Sequence, residues 1–204
     1  MLVVWAGLGL AARAYAQGVE QPLLSFGSAN QAGQYPEASL IQGADGALYG
    51  TTSDGGAGTN GTVFRIGTNG FGYTVLHTFS STGGDGRHPR AGLVRGSDGA
   101  LYGTTSDGGS SDHGTVFKLN PDGSGYSVLH SFTGSPADGS NPEAELIQGN
   151  DGAFYGTACR GGAFRGTTRE TLAGFGTVFK LNGDGSGYTL LYSFGGSSEK
   201  YLSG

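Results

Sequence analysis

The chain is poor in the residues that most often announce a chemistry. It has one cysteine in 204 residues, one tryptophan, one methionine and four histidines, and only 13% of its residues are charged. Cys159 has no partner for an intrachain disulfide, so no disulfide framework is expected. It stands where two related segments carry Ser53 and Ser106, so it reads as a small packed residue rather than a nucleophile. No two histidines have the spacing of zinc ligands, which argues against a structural or catalytic zinc. The basic residues, 11 against 16 acidic, form no cluster, so nucleic acid and anionic membrane surfaces are poor partners. The longest apolar run, Met1 to Ala12, falls short of the roughly 20 residues that a membrane-spanning helix needs. No amphipathic helix and no Gly-rich loop opening a helix is visible, so a nucleotide-cradling loop is not expected.

Glycine is what the chain has in quantity, 43 residues, and much of it is periodic. DGALYGTTSDGG runs from Asp98, with GTVF at Gly114. A near copy starts at Asp45 with GTVF at Gly61, and a looser one, DGAFYGTACRGG, starts at Asp151 with GTVF at Gly176. Pro36, Pro89 and Pro142 recur at a spacing of 53 residues, and Pro36–His88 aligns without a gap on Pro89–Asn141 with 29 of 53 positions identical. A fixed period of this length is the signature of a stacked repeat. The third copy carries nine extra residues between Gly162 and Gly176.

Each period holds four short runs rich in β-branched and aromatic residues, too short for helices. In the second copy they are Gly92–Arg95, Ala100–Thr105, Gly114–Leu119 and Tyr126–Phe132. Asp-Gly between the first two supplies the positive φ of a tight hairpin, and Asn120-Pro-Asp-Gly-Ser-Gly125 forms another turn cluster. Period-two alternation in the last run places Tyr126, Val128, His130 and Phe132 on one face and Ser127, Leu129 and Ser131 on the other. Four antiparallel strands repeated in tandem are the plan of a β-propeller blade. Leu101, Val116, Phe117, Leu129 and Phe132 are expected to fill the space between blades. A β-solenoid is the second architecture considered, though its coils are usually shorter. The fold class expected is therefore all-β, a partial propeller of about three blades plus one strand, with repeats at about 37–79, 90–132 and 143–194.

Upstream of the repeats, the apolar run to Ala12 and Ala14-Tyr15-Ala16 have the form of a secretory signal cleaved before Gln17, although the usual basic leader is missing. The alternative is a short buried N-terminal segment. Cleavage would remove Arg13, leaving 10 basic against 16 acidic residues and a net charge of about −6. Leu23–Phe26 lies one period before Leu76–Phe79 and reads as the fourth strand of an incomplete blade. After Phe194 no new Pro-x-Ala-x-Leu opens a blade, so residues 17–204 are expected to be a C-terminally incomplete repeat domain, or one whose ring is finished by association of chains.

The repeat strings DGALYGTTSDGG, GTVF and GYSVLHSF resemble the GloVer tandem repeat of "choice-of-anchor" bacterial surface proteins, over roughly Leu23 to Phe194. The resemblance implies export, a propeller-like array and attachment through a C-terminal sorting segment. It brings no catalytic residue with it.

The candidate chemistry is sparse. His77 and His130 share a repeat position that is Tyr192 in the third copy, which marks them as structural strand residues. Asp45, Asp98 and Asp151 read as turn formers. Asp54 and Asp107 are followed by Gly-Gly, but Arg160 replaces them in the third copy, breaking any ring of carboxylates. Asn120, Asp122, Ser124 and Gly125, like Asn182, Asp184, Ser186 and Gly187, match the opening positions of a calcium loop. Ser131 and Ser193 stand where its bidentate Glu belongs, so a full calcium site is excluded by ligand count. The insertion Ala163–Phe175 is the one non-repeated feature. Its Arg165, Arg169 and Glu170 are the ligand-binding candidates, since loops on rigid scaffolds often carry binding, against the plainer reading of a drifted surface loop. No catalytic residue, cofactor or metal site is expected. The reading is an exported binding or structural module of the bacterial cell surface, with a surface polymer or a protein as partner. The alternative is a fragment of a secreted carbohydrate-active propeller enzyme.

Overall fold

A computed structural model describes residues 32–134, 136–163 and 174–194. Described regular structure is entirely β, arranged as three four-stranded antiparallel sheets that repeat one topology. A first short pair of strands is β1 (Gly33–Gln34) with β4 (Asp54–Gly55). The first sheet follows in the order β2 (Ile41–Gln42), β3 (Leu48–Thr52), β5 (Thr62–Ile66) and β6 (Thr74–Thr78). The second repeats it with β8 (Val94–Arg95), β9 (Leu101–Thr105), β11 (Thr115–Leu119) and β12 (Ser127–Ser131), preceded by the pair β7 (Gly86–Arg87) and β10 (Asp107–Gly108). The third uses β14 (Ile147–Gln148), β15 (Phe154–Ala158), β17 (Thr177–Leu181) and β18 (Thr189–Ser193), with the pair β13 (Gly139–Ser140) and β16 (Arg160–Gly161). Each sheet is a meander whose sequence neighbours are its spatial neighbours, the arrangement of a propeller blade. The molecule is thus a partial β-propeller, with the four strands of each copy inside the runs expected from the sequence.

Sheet faces are apolar because each is covered by the next sheet. One core joins Ala47, Tyr49, Val63 and Phe79 of the first blade to Leu93, Leu101, Phe117 and Leu119 of the second. The other joins Ala100, Tyr102, Val116 and Phe132 to Leu146, Phe154, Phe179 and Leu181. In the GTVF strand, Val points to the following blade and Phe to the preceding one, as the alternation of a strand requires. Burying each such side chain contributes roughly 1.5–3 kcal/mol. The five residues expected to fill the joints all lie in these clusters, with Leu129 partly buried.

The outer strand departs from simple alternation. β11 and β12 shift register between Val116 and Phe117: Val116 faces His130 but Phe117 faces Val128, leaving Leu129 as an extra residue. The same bulge recurs at Leu76 and Leu191. A bulge turns the side chains after it to the other side. Tyr126 therefore packs with the first blade, while Leu129, His130 and Phe132 pack with the third. The single face expected for Tyr126, Val128, His130 and Phe132 is corrected by that one inserted residue.

Two backbone features punctuate every unit. The glycine opening GTVF has φ near +96, +94 and +100° at Gly61, Gly114 and Gly176, and a Cβ at Gly114 would lie 2.4 Å from the Thr105 carbonyl oxygen. Both conformation and space exclude other residues there. Tyr35, His88 and Asn141 hold φ of 55, 54 and 55° immediately before the recurring prolines. Such a conformation is costly for a side-chain-bearing residue. It is held by the Tyr35, His88 and Asn141 carbonyls, which accept from the N–H groups of Ser53, Ser106 and Cys159 at 3.0–3.2 Å.

Candidate functional site

The Asp-Gly turns do what the sequence suggests and something more. Asp45 Oδ1 accepts from Ala47 N–H at 3.1 Å while Oδ2 accepts from the Tyr49 hydroxyl at 3.0 Å and the Arg65 guanidinium at 2.8 Å. Asp98 repeats this with Ala100, Tyr102 and Lys118, and Asp151 with Ala153, Tyr155 and Lys180. The hydrogen bond from Arg65 is the main cause that lowers the Asp45 carboxyl below its ordinary value, and Tyr155 followed by Lys180 does the same for Asp151. These ionised carboxylates tie turn, second strand and third strand together, and that role uses their acceptor capacity.

A second polar unit sits at each joint. The His77 ring stacks on Tyr126 of the next blade with centroids 3.6 Å apart, and His130 stacks on Tyr188 at 3.7 Å. His77 Nε2–H points to Asp85 Oδ2 at 3.3 Å, and the Tyr126 hydroxyl donates to Asp85 Oδ1. Asp85 also accepts from the N–H groups of Ser80 and Gly86. His130, Asp138, Tyr188, Thr133 and Gly139 form the same set one period later. Burial alone would raise the Asp138 carboxyl, but hydrogen bonds from His130 and Tyr188 outweigh it and bring it down to about 2. Burial and the neighbouring carboxylates push both tyrosine hydroxyls up. His77 and His130 are strand residues, as expected, and they act as inter-blade clamps.

The two joints differ at one rim. Between the second and third blades, Phe154 stacks on Tyr102 at 3.9 Å. The Tyr102 hydroxyl, whose one proton is shared with Asp98, also reaches the Gly183 carbonyl at 3.3 Å; Gln148 Oε1 accepts from Ser97 N–H at 2.9 Å, and Gln148 Nε2–H donates to Ser97 Oγ at 3.3 Å. Between the first and second blades, the matching residues are Leu101 for Phe154, Pro121 for Gly183, Arg95 for Gln148 and Ala44 for Ser97. Leu101 is smaller than a phenylalanine. A Cβ at Gly183 would come within 2.8 Å of the Tyr102 hydroxyl, so Pro121 cannot approach Tyr49 as Gly183 approaches Tyr102. Ala44 has no hydroxyl to bind. The result is a cleft of about 460 Å³ bordered by Asp45, Leu76, Arg95, Leu101, Pro121 and Asp122, within the roughly 300–1,000 Å³ range of small-molecule sites.

Leu76 and Pro121 give the cleft its apolar part and charged groups ring it, while Leu101, which also borders it, is fully buried. Asp122 Oδ1 is used within its own turn by Ser124 N–H at 2.9 Å and Ser124 Oγ at 2.7 Å. Its Oδ2 takes no hydrogen bond from a neighbour among the described residues. Arg95 is exposed and has no ion-pair partner among them, whereas Arg65 is engaged by Asp45.

The other sequence candidates distribute as follows. Arg165, Arg169 and Glu170 lie outside the described residues. Asp122 and Asp184 serve their own turns, and no group of three His, Cys, Asp or Glu side chains that could hold a metal occurs among the described residues. Asp54 and Asp107 accept from the hydroxyls of Ser53 and Ser106. The packed role expected for Cys159 is corrected: Ser53 and Ser106 are 3% and 2% exposed, but Cys159 is exposed. Partial desolvation and then the Glu143 carboxylate raise its thiol, opposite to an activated nucleophile. Sequence reasoning passed over Asp85, Asp138 and Arg95. The aspartates were detectable, because where His is replaced, by Leu24 or Tyr192, the matching Asp is replaced as well, by Ala32 or Lys200.

Two solved structures align with part of the chain. A Thermus thermophilus protein described as an oxidoreductase (glucose dehydrogenase) is 16% identical, with a TM-score of 0.45 over 75% of this chain and 46% of that one. A Dyadobacter fermentans protein of unknown function is 11% identical, with a TM-score of 0.42 over 78% of this chain and 56% of that one. The chain thus spans about half the length of each. No curated protein matches the sequence. The family model of the Gloeobacter/Verrucomicrobia repeat matches residues 13–204. With nearly the whole chain inside that match, and its blades built on the repeated strings, the chain belongs to the Gloeobacter/Verrucomicrobia repeat family.

Proposed function

We propose that this chain is an exported module of the bacterial cell surface, a rigid repeat scaffold that binds a partner along its rim and catalyses no reaction. The observation that carries the reading is that its polar side chains recur blade by blade in structural bonds. Asp45, Asp98 and Asp151 each hold a tyrosine and a cation, and Asp85 and Asp138 each hold a joint. A reaction needs dissimilar groups converging on one point, whereas repetition distributes like groups along the array. Export is supported by the apolar run Met1–Ala12 and the Ala14-Tyr15-Ala16 that follows it. Fractionation of the native bacterium, with external protease digestion and N-terminal sequencing, tests this. Surface exposure with a mature start at Gln17 is expected, and retention in the cytoplasm with Met1 intact would sink it. Incubation with a panel of surface polysaccharides separates binding from catalysis: retention without soluble products is expected, and product release would instead establish the secreted-enzyme reading.

A further inference from the structure

We propose that the cleft between the first and second blades is a binding site for a uronic-acid sugar, with Arg95 as the carboxylate receptor. The proposal rests on the binding-module reading and adds the class of ligand. Three closures seal the equivalent rim of the next joint: the Phe154–Tyr102 stack, the Tyr102–Gly183 hydrogen bond and the Gln148–Ser97 bond. The four matching positions, Ala44, Arg95, Leu101 and Pro121, are changed here, and the changes leave a concave space rather than a different closure. Arg95 replaces a glutamine whose amide crosses the joint, and among the described residues it has no carboxylate to pair with. A guanidinium presents a fork of donors suited to a carboxylate.

A bare carboxylate would leave the rest of the cleft unused. Asp122 Oδ2 is an acceptor left without a donor among the described residues, and a ligand hydroxyl supplies one. Leu76 and Pro121 offer apolar surface for the C–H face of a pyranose ring. A hexuronate combines the three features: one carboxylate, several hydroxyls and one apolar face. A neutral hexose lacks the group that Arg95 would receive, and a simple organic acid lacks the hydroxyls.

The test is titration of the ¹⁵N-labelled full chain, at fixed ionic strength, with sodium glucuronate, glucose and sodium acetate, followed by NMR. Saturable shifts centred on Asp45, Leu76, Arg95, Leu101 and Asp122 are expected with glucuronate, at affinity about tenfold or more above glucose and acetate. Arg95→Gln, which copies the residue of the next joint, should lower glucuronate affinity about tenfold. Leu101→Phe, which copies Phe154, should carry a larger ring into the cleft and abolish binding while the amide spectrum remains that of a folded chain. Equal binding of acetate or glucose, shifts elsewhere, full binding by either variant, or no saturable shift would each overturn the proposal. Cytoplasmic retention with glucuronate binding intact would remove the surface reading and leave the site. Polysaccharide retention that survives Leu101→Phe would do the reverse.

Discussion

Thr177 is the clearest case of a single position out of step with its repeat. In the first two blades the corresponding hydroxyls are paired, Thr52 with Thr62 and Thr105 with Thr115, each at 2.8 Å in the buried interior. In the third, Ala158 stands in place of Thr52 and Thr105, and Thr177 Oγ1 is buried without a hydrogen-bond partner among the described residues. An orphaned buried hydroxyl is costly, and a restored hydrogen bond contributes about 1 kcal/mol. Ala158→Thr should therefore raise stability by about 1 kcal/mol and Tm by roughly 2–4 °C, read by thermal unfolding. Space is already arranged for the larger residue, because Gly139 faces Ala158 as Gly86 faces Thr105. A lower Tm would mean that the third blade has settled around the alanine.

At the scale of the element, the outer strand is the part that reaches both ways. Its bulge at Leu76, Leu129 or Leu191 lets one strand present Tyr126 to the blade before and His130 to the blade after. The His–Asp–Tyr joint that results depends on pH in a definite sense. Asp138 has its carboxyl lowered from an ordinary 3.8 to about 2 in the folded protein. A carboxylate with a depressed folded value stabilises above its unfolded value, and that contribution is lost as pH falls through the folded one. Between pH 4 and 2 the stability difference between the native chain and Asp138→Asn should shrink by on the order of 2 kcal/mol. Urea unfolding across that range measures it, and a constant difference would refute the assignment. Strand positions were legible in the sequence, since Gly and Asp-Gly punctuation encloses each of them. The bulge was not, because Leu129 has the same apolar character whether it alternates or is inserted. The joint was half legible: the histidines were seen as strand residues, but their aspartates sit in loops, where an acidic residue looks like ordinary surface.

For the whole molecule, the same repeat position differs in exposure from blade to blade among the described residues. Phe79 and Phe132 are 1% and 0% exposed, while Phe194, the same position in the third blade, is 45% exposed. Phe132→Ala should cost about 3–5 kcal/mol, and Phe194→Ala should cost less than about 1 kcal/mol. Chemical denaturation of the two variants compares them directly, and equal losses would contradict blade-on-blade burial as the source of stability. The architecture was readable because repetition is a property of the string itself. The cleft was not readable, since it arises from four differences between neighbouring copies, at Ala44, Arg95, Leu101 and Pro121, whose meaning appears only when two blades are set side by side. The joint also bears on how such an array changes its length. His77 and Asp85 come from one unit and Tyr126 from the following one, so the matching parts always lie a fixed stretch of chain apart. An unequal genetic crossover between the first two copies that removes or adds one whole period, wherever its breakpoint falls, rejoins a histidine to an aspartate and a tyrosine in the right order. Arrays built this way can grow or shrink by entire blades without any new junction having to evolve.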